Sequence, residues 1–329
     1  MKTLLLNSAK GEAARSQFRA ALLEWYDANQ RSLPWRRTRQ PFRIWVSEIM
    51  LQQTRVAAVL LHYKKFLRQF PTVQALARAG EQQVLAAWSG LGYYRRARML
   101  HRAAKEVVEK RQGRIPGTSQ ELQSLPGIGR YTAAAIASIA FGQPEAVVDG
   151  NVERVLSRIA GKQLSAKSHW ECAQQLMERS RPGDFNQAMM ELGATICLPQ
   201  APLCKRCPVT GYCQSRGNLR TKKTKSRQQS STRQLMLARR KNSILLQQRS
   251  QEESVMPGMW DLPEHHGPQA TPVLKVRHSI MNTCYEVRVF AHRPENSALE
   301  GKWVALSRLD RIPLTGTTRK VLRKLGLLD

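Results

Sequence analysis

Residues 125–136 read LPGIGRYTAAAI, and this stretch decides how the N-terminal part of the chain folds. A Pro-Gly-x-Gly turn leads directly into a run of small residues, which predicts a tight turn followed by a closely packed helix. Gly127 and Gly129 allow φ values and close backbone contacts that a side chain would prevent. The free N–H groups at the start of the helix can bind an anion such as a phosphate. A glycine-rich turn between two helices that binds nothing is the alternative interpretation.

The charge of the chain favours the anion-binding interpretation. Lysine and arginine together number 53 against 24 aspartates and glutamates, so the formal net charge is +29. The basic excess is spread along the chain and is not confined to one tail. Such a surface attracts polyanions, and we expect a nucleic acid as the partner, although a basic surface also favours solubility.

The chain divides into three segments of different composition. Its 329 residues predict two domains. Residues 1–215 place apolar side chains at helical spacing between Pro and Gly breaks, which predicts an all-α domain. Residues 216–231 alternate basic residues with Thr, Ser and Gln, as a basic linker does. Residues 232–329 show strand-like alternation followed by a final helix, which predicts a small α+β domain.

Nothing in the sequence predicts insertion into a membrane or export. No apolar run approaches the roughly 20 residues that a bilayer-spanning helix needs. The apolar run at residues 4–6 is too short for a secretion signal. We therefore expect a soluble, non-exported protein whose cysteines do not form a disulfide framework.

Four of the six cysteines are clustered in the spacing C-x6-C-x2-C-x5-C. In a chain that is not exported, such close spacing indicates a metal centre, because one loop can wrap four thiolates around it. Zinc and a [4Fe–4S] cluster both accept four cysteine ligands, and the spacing does not separate them. A chance group of buried thiols is the third interpretation. The candidate ligands are Cys197, Cys204, Cys207 and Cys213.

Two carboxylates stand out in the predicted helical domain. Glu48 lies in the apolar stretch 45–54, WVSEIMLQQT, and burial there would raise its pKa and suit it to general acid catalysis. A glutamate on the solvent face of the same helix fits the pattern equally well. Asp149 precedes a helix expected to begin near Gly150, and from spacing alone a helix N-cap is the favoured interpretation.

Taken together, these stretches resemble the adenine DNA glycosylases of the MutY family, which belong to the endonuclease III helix-hairpin-helix superfamily. The resemblance covers residues 16 to 215 closely and the rest more loosely. It implies an all-α helix-hairpin-helix glycosylase domain with an iron–sulfur module, in which the four cysteines hold a [4Fe–4S] cluster. The matching stretches are LPWR at 33–36, residues 45–54, WSGLGYY at 88–94, residues 125–136, VDGN at 148–151, FNQA at 185–188 and the cysteine loop 197–213.

The resemblance assigns roles to four residues around the reacting bond. It implies that Glu48 protonates the departing adenine and that Asp149 stays ionised and stabilises the sugar cation. Asn151 would orient Asp149 or the attacking water. Tyr131 stands where lyase members of the superfamily carry a nucleophilic lysine, so it would hydrogen-bond near the carboxylates. The expected activity is therefore base removal without efficient strand cleavage.

The resemblance also assigns residues to the recognition of double-stranded DNA with adenine opposite 8-oxoguanine or guanine. One group lines the pocket for the extruded adenine, another wedges into the duplex around the opposing base, and a third offers amides to phosphate. In that order they are Trp35, Arg36 and Gln187; Leu51, Gln52 and Tyr93; and Gly127 and Gly129.

Residues 232–329 resemble the Nudix-like domain of the same family, which reads 8-oxoguanine. The best match is MPGMWDLP at 256–263, and the glutamate-rich helix of catalytic Nudix proteins is absent from the sequence. The resemblance therefore implies recognition without nucleotide hydrolysis. The family's Phe-Ser-His loop aligns with Ile280-Met281-Asn282, where no residue is the same. This difference concerns the preference for 8-oxoguanine as the opposing base and does not concern adenine excision. The family further implies a monomer in the bacterial cytoplasm, associated with the nucleoid and not with a membrane.

Three other functions compete with this one. A thymine or uracil mismatch glycosylase and a bifunctional lyase are both disfavoured by the combination of Tyr131 with Glu48. A non-catalytic DNA-binding module built on an iron–sulfur scaffold is disfavoured by the pairing of Glu48 with Asp149.

Overall fold

The computed structural model describes residues 11–219, 229–253, 255–267, 271–280, 282–292 and 300–328. The chain forms two compact units. The first contains residues up to 63 and residues 102–223, and the second contains residues 64–101 and the chain from 224 onward. Three features singled out in the sequence lie wholly or partly outside the described residues, namely the apolar run at residues 4–6, Met281, and positions 220–228 of the basic linker.

Helices build the chain from residue 12 to residue 195, which confirms the all-α prediction. Their bounds are α1 Glu12–Asn29, α2 Pro41–Leu51, α3 Val56–Gln69, α4 Val73–Arg78, α5 Glu81–Trp88, α6 Arg95–Arg111, α7 Ser119–Gln123, α8 Arg130–Phe141, α9 Gly150–Ala160, α10 Ala166–Leu176 and α11 Pro182–Thr195. The helix starts follow local chemistry. Pro41 and Pro182 occupy first-turn positions where a missing N–H costs nothing, and the Thr118 hydroxyl accepts from the Glu121 amide at the start of α7.

The core of the first unit lies between α1, α9 and α11. Phe18 and Leu22 project from α1 at the spacing of one helix face, and both are fully buried. They belong to one apolar cluster with Leu156 of α9 and Phe185 of α11. Burial of such side chains, at about 25 cal/mol per Å² of apolar surface, is what fixes these helices against one another.

The hairpin at residues 125–136 forms as the sequence predicts. Gly127 adopts a φ of +76°, a left-handed conformation that glycine takes without steric cost, whereas Gly129 has an ordinary φ of −88° and caps α8. Four of the five alanines of α8 are buried, namely Ala133, Ala134, Ala135 and Ala137. Helix α11 approaches the backbone of α8 closely at Gly183, because a Cβ added there would lie 2.8 Å from the Ile139 Cα.

Residues after 228 form a mixed sheet with one closing helix, which confirms the α+β prediction. The strands follow the order β3-β2-β1-β5-β4, and β6 pairs with β2. Strand β1 pairs parallel with β5, and the other pairs are antiparallel. The bounds are β1 Gln229–Arg240, β2 Ser243–Gln248, β3 Trp260–Asp261, β4 Leu274–Ile280, β5 Thr283–His292, β6 Lys302–Ala305 and α12 Gly316–Lys324.

The sheet and α12 enclose a separate core. Leu235, Val287 and Val321 are fully buried in it. Buried Asp261 ties β3 to α12, since its carboxylate accepts hydrogen bonds from Thr315 Oγ1 at 2.9 Å and from the Thr318 hydroxyl. Among the helices within the described residues, none has the length and apolarity to cross a bilayer.

Candidate active site

A cavity of about 480 Å³ lies in the first unit, walled by α2, α8, the start of α9 and α11. Nine residues that the sequence predicts for catalysis or base recognition line this single space. Since they come from five separate stretches of the sequence, their convergence depends on the fold. They are Trp35, Arg36, Glu48, Leu51, Gln52, Tyr131, Asp149, Asn151 and Gln187.

Glu48 of α2 is buried, with only 5% of its surface exposed. Tyr131 donates a hydrogen bond from its hydroxyl to Glu48 Oε2 at 3.0 Å. Burial raises the pKa of Glu48 to about 7; the Tyr131 hydrogen bond opposes this rise, and the negative charge of Asp149 adds to it. The carboxyl therefore carries a proton in a large fraction of molecules near neutral pH, and the alternative of a solvent-facing Glu48 is wrong.

The carboxylate of Asp149 accepts three hydrogen bonds. Its Oδ1 accepts from the backbone N–H groups of Asn151 at 2.9 Å and Val152 at 2.8 Å, and its Oδ2 accepts from Asn151 Nδ2 at 2.8 Å. The first two bonds make Asp149 the N-cap of α9, which confirms that prediction. Because the same carboxylate also lines the cavity, capping and a functional role are compatible. The positive end of the α9 dipole favours its negative charge.

Asn151 is fixed by its neighbours on both sides. Its Nδ2 donates to Asp149, and its Oδ1 accepts from Arg154 Nη2 at 2.9 Å, so the amide has one orientation that satisfies both. Helix α11 approaches closely at this point, since a Cβ added to Gly193 would lie 2.6 Å from the Asn151 Cβ. A glycine at 193 is therefore required for this arrangement.

Arg154 extends the contacts of Asp149 and Asn151 to the cysteine loop. Its Nε donates to the carbonyl of Cys197 at 2.8 Å, and its Nη2 donates to the carbonyl of Gly193 at 2.7 Å. A continuous path of hydrogen bonds thus runs from Asp149 through Asn151 and Arg154 to the first candidate ligand. The sequence reasoning did not single out Arg154.

An ion-pair cluster forms another part of the wall. Glu191 of α11 is 1% exposed and accepts from Arg36 Nη2 at 2.7 Å and from Arg31 Nε and Nη2 at 2.7 Å each. Burial alone would raise the pKa of Glu191, but the hydrogen bonds from both arginines outweigh it and lower the pKa to about 2. The guanidinium of Arg36 also lies 5.4 Å from the centre of the Tyr26 ring. Its planar group is thereby held at the cavity.

Glu191 and Arg31 are functional candidates that the sequence reasoning missed. Glu191 lies in MMELGA, residues 189–194, and its apolar neighbours give the same signal that drew attention to Glu48. Arg31 had no such signal, because arginines in loops are common and mostly exposed.

The remaining predicted recognition residues occupy different places. Trp35 packs edge-on against Tyr63 with ring centres 5.4 Å apart, and Gln52 Nε2 donates to Thr132 Oγ1 at 3.1 Å. Gly127 and Gly129 lie in the exposed hairpin turn. Tyr93 belongs to the second unit, where 49% of its surface is exposed.

The four candidate ligand cysteines are half-buried free thiols. Within the described residues, no group of three or more Cys, His, Asp and Glu side chains has the arrangement of a site for a metal ion. The thiols are nonetheless neighbours. Burial raises the pKa of the Cys207 thiol to about 11, and the charges of Cys197, Cys213 and Cys204 add to that rise.

A buried arginine faces this loop. Arg158 of α9 is 2% exposed, and its Nη1 donates to Cys197 Sγ at 3.2 Å and to the Leu198 carbonyl at 2.7 Å, while its Nη2 donates to the Pro199 carbonyl at 3.1 Å. A buried guanidinium requires negative charge nearby. Thiolates at the cysteine positions, held by a metal centre, would supply that charge, so the donor set fits such a group.

Comparison with known proteins connects this geometry to a family. Residues 46–182 match the family model of the HhH-GPD superfamily base excision DNA repair protein. An adenine DNA glycosylase of Homo sapiens is 51% identical over 214 residues, which cover 60% of this chain and 39% of that protein. An adenine DNA glycosylase of Buchnera aphidicola (subsp. Baizongia pistaciae) is 38% identical over 203 residues, which cover 60% of this chain and 58% of that protein. The chain thus spans about two fifths of the length of the human relative.

Solved structures agree with the family match. A thermostable thymine-DNA glycosylase is 30% identical with a TM-score of 0.59, and the match covers 63% of this chain and 98% of that one. The protein of a non-covalent endonuclease III–DNA complex is 24% identical with a TM-score of 0.54, and the match covers 62% of this chain and 97% of that one. At this identity the match supports the fold alone. The resemblance inferred from the sequence is confirmed: the chain belongs to the HhH-GPD superfamily of base excision DNA repair proteins.

Proposed function

We propose that this protein is a monofunctional DNA glycosylase that hydrolyses the N-glycosidic bond of adenine in duplex DNA. The observation that carries the proposal is the pair of carboxyl groups in one cavity, with Glu48 buried and of raised pKa and Asp149 held by three donors. Two carboxyl groups in unlike environments divide acid and charge-stabilising roles. The adenine DNA glycosylases among the relatives support the choice of base.

The reaction begins when adenine leaves the base stack and enters the cavity. Glu48 donates its proton to N7 of the ring, which turns adenine into a neutral leaving group once the glycosidic electron pair moves to the base. The sugar becomes an oxocarbenium-like cation, and the ionised Asp149 beside it stabilises the positive charge. Water then adds to C1′ and releases a proton, which replaces the one that Glu48 gave to adenine, so that an abasic sugar, free adenine and protonated Glu48 remain. Asn151 keeps the Asp149 carboxylate in place.

Recognition of the extruded base follows from the cavity wall. A volume of about 480 Å³ is within the range of small-molecule sites and large enough for a nucleobase. Trp35 offers an apolar face, and Gln187 offers both a donor and an acceptor to the edge of a purine. Arg36 is held in place by Glu191, so its guanidinium meets the base without first being ordered.

The absence of lyase chemistry follows from residue types. Schiff-base formation at the sugar needs an uncharged amine. Among the described residues that line the cavity there is no lysine, and Tyr131 holds the position expected for one.

Thymine is the second candidate base, because the 30% identical structure is a thymine-DNA glycosylase. The buried acid Glu48 favours adenine over thymine as the excised base. A purine has a basic ring nitrogen that Glu48 can protonate, whereas thymine has none. The more similar relatives, at 38% to 51% identity, are adenine DNA glycosylases.

The proposed substrate is double-stranded DNA with adenine opposite 8-oxoguanine or guanine. The net charge of +29 supports a polyanion as partner. We assign recognition of the opposing base to the Nudix-like domain at residues 232–329 together with Leu51, Gln52 and Tyr93. The amides of Gly127 and Gly129 are proposed to contact phosphate, as an exposed turn at the start of α8 allows.

A [4Fe–4S] cluster is the proposed cofactor, held by Cys197, Cys204, Cys207 and Cys213. When bound, it would supply negative charge and a fixed anchor for the loop, and it takes no part in the hydrolysis. Arg158 supports this assignment because its guanidinium faces the Cys197 sulfur. Iron and sulfide analysis of protein purified without oxygen tests it, and zinc in place of iron would overturn it.

Single-turnover release of adenine from duplexes tests the function. Adenine is placed opposite 8-oxoguanine, guanine or cytosine, and a parallel duplex carries thymine opposite guanine. We expect release of adenine and not thymine, without strand cleavage, and loss of at least about 100-fold in rate for Glu48→Gln. An unchanged rate in that variant would remove Glu48 as the acid, and thymine release would favour the second candidate.

A further inference from the structure

The loop between α5 and α6, residues 89–94, presents the exposed aromatic ring of Tyr93; we name it the Tyr93 loop. Gly90 and Gly92 adopt φ values of +105° and +68°, and Tyr93 itself has a φ of +47°. A bulky residue in this region is uncommon and persists only where its surroundings hold it. The position of the Tyr93 ring therefore depends on what braces the loop.

One set of braces comes from the neighbouring helices. Trp88 Nε1 donates to the Gly92 carbonyl at 3.2 Å, and Arg96 Nη2 donates to the carbonyls of Leu91 and Gly92 at 3.3 Å each. The guanidinium of Arg96 lies 5.5 Å from the ring centres of both Trp88 and Tyr93. These contacts shape the tip of the loop from one side.

The other set comes from the sheet domain, within the same compact unit. The carbonyl of Leu314 accepts from Ser89 Oγ and from the Tyr94 hydroxyl at 3.3 Å each. Arg319 of α12 donates from Nε to Ser89 Oγ at 3.0 Å. Ser89 and Tyr94 are buried, so these bonds are shielded from water. Both ends of the loop are thus attached to one short stretch of the C-terminal domain.

That stretch is itself held firmly. The amide of Trp260 donates to the Pro313 carbonyl at 2.8 Å, and the amide of Thr315 donates to the Trp260 carbonyl at 2.9 Å. The residue between them, Leu314, is fully buried. Its carbonyl is consequently a fixed acceptor, set by the same strand that carries the MPGMWDLP motif.

We propose that Arg319 and the Leu314 carbonyl are positioning groups for Tyr93, through which the C-terminal domain sets the choice of the opposing base. This inference rests on the proposed function, in which Tyr93 probes the base opposite adenine. The C-terminal domain then acts on selectivity from behind the Tyr93 loop, in addition to any contact that it makes with DNA. Neither Arg319 nor Tyr94 touches the reacting bond in this scheme.

The proposal separates selectivity from chemistry. The described residues lining the Glu48 cavity do not include Tyr93, Tyr94 or Arg319, so changes at Arg319 leave the acid and the ionised carboxylate unaltered. Loosening the loop lets Tyr93 leave its strained conformation. The protein then loses its preference among opposing bases and keeps its rate on the best one.

Two variants of the full chain remove the braces with little change in volume. Arg319→Met removes the donor to Ser89, and Tyr94→Phe removes the hydroxyl that bonds to Leu314. Lys324→Met is the matched control for the former, since it deletes a positive charge at an exposed position of the same helix. Unfolding midpoints equal to that of the control would show that the fold is kept, and Tyr94→Phe supplies the milder perturbation if Arg319→Met unfolds.

Hydrogen exchange of the free protein is the first measurement, and it does not depend on the substrate. We expect the amides of residues 89–96 to exchange about 5- to 10-fold faster in both variants than in the control, as for loss of one net hydrogen bond. Exchange unchanged in both variants would overturn the positioning role.

Single-turnover adenine release is the second measurement. We expect the ratio of rates opposite 8-oxoguanine and guanine to fall at least about 3-fold in both variants, with the faster rate and its pH profile unchanged. Arg319→Lys, which retains a donor, should recover part of the ratio. Ratios equal to the control would overturn the proposal. If the unaltered protein releases no adenine, the proposed function fails, the selectivity claim fails with it, and exchange alone decides whether Arg319 holds the loop.

Discussion

Glu48→Gln should make the protein more stable than the unaltered protein at alkaline pH while it slows adenine release at least about 100-fold. The carboxyl of Glu48 is 5% exposed, and its pKa is raised from 4.5 to about 7. A group whose pKa is higher in the folded state than in the unfolded state binds its proton more tightly in the folded state. The stabilisation from this proton is fully present below the pKa of the unfolded state and is lost as the pH rises through the pKa of the folded state. The pH window is therefore about 4.5 to 7, and glutamine has no proton to lose in it.

The size of the effect follows from the two pKa values. A separation of about 2.5 units corresponds to a cost of about 3 kcal/mol once the buried carboxyl is ionised, at 1.36 kcal/mol per unit. Near pH 5 most of the folded protein still holds the proton, and the cost is below about 1 kcal/mol. The stability difference between Glu48→Gln and the unaltered protein should thus grow by about 2 to 3 kcal/mol between pH 5 and pH 8.

Unfolding by urea at several pH values measures this difference. Glu109→Gln on α6 serves as the control, because Glu109 is exposed and the substitution is chemically identical. Its stability difference should stay constant within about 0.5 kcal/mol over the same range. A difference for Glu48→Gln that is equally flat would mean that the carboxyl ionises in the folded state as it does in water, and the argument for a buried general acid would fail.

Three further predictions concern the same cavity. The single-turnover rate of adenine release should be constant below pH 6 and fall toward about tenfold per pH unit above pH 7, because Glu48 must be protonated to act. Gly193→Ala should lower that rate by about 10- to 100-fold, since the new Cβ would lie 2.6 Å from the Asn151 Cβ and displace it from Asp149. Glu191→Gln should destabilise the protein by about 1 to 3 kcal/mol in urea unfolding and weaken adenine release, because it removes the charge that pairs with Arg36.

The two substitutions each have a matched control. Gly80→Ala introduces the same methyl group where the nearest neighbouring atom is the oxygen of the flexible Gln83 side chain, 3.9 Å away, so its rate should be unchanged. Glu171→Gln on α10 removes a half-exposed charge and should alter stability by less than about 0.5 kcal/mol. A rate that is independent of pH between 6 and 9, or equal effects at positions 80 and 193, would contradict the corresponding argument.

The helices and the hairpin could be predicted from the sequence because their causes are local. Apolar spacing, proline at helix starts and the Pro-Gly-x-Gly turn each act within a few residues. Pairing of distant strands is different: β1 lies parallel to β5 with Leu235 opposite Val289. Alternation of apolar and polar residues identifies a strand and its buried face but not its partner or direction. Strand β1 also begins at Gln229, earlier than residue 232, where composition alone places the start of the domain.

The sequence can predict a site residue only where its immediate neighbours in the chain are unusual for its type. The apolar neighbours of Glu48 made it a candidate acid but left a solvent-facing glutamate equally open, and the position of Asp149 before a helix favoured only an N-cap. The family resemblance supplied the functional role of both residues. Arg154 and Arg158 gave no signal, because an arginine in an amphipathic helix is normally exposed. Their importance arises from the fold, which turns one side of α9 toward the cysteine loop. Clusters of this kind become visible only when the helices are packed.

The two carboxyl groups differ in what they do to the stability of the protein. Asp149 accepts two backbone N–H groups at the start of α9, and a cap of this type contributes about 1 kcal/mol, so its charge stabilises the fold that it serves. Glu48 costs stability when it ionises, because burial opposes the charge. The fold therefore favours a proton on Glu48 near neutral pH and fixes the Asp149 oxygens as hydrogen-bond acceptors, and cleavage of a purine nucleoside needs a proton donor and an acceptor side chain placed in this way. With the roles reversed, Glu48 would have to be ionised in its buried position, which burial opposes.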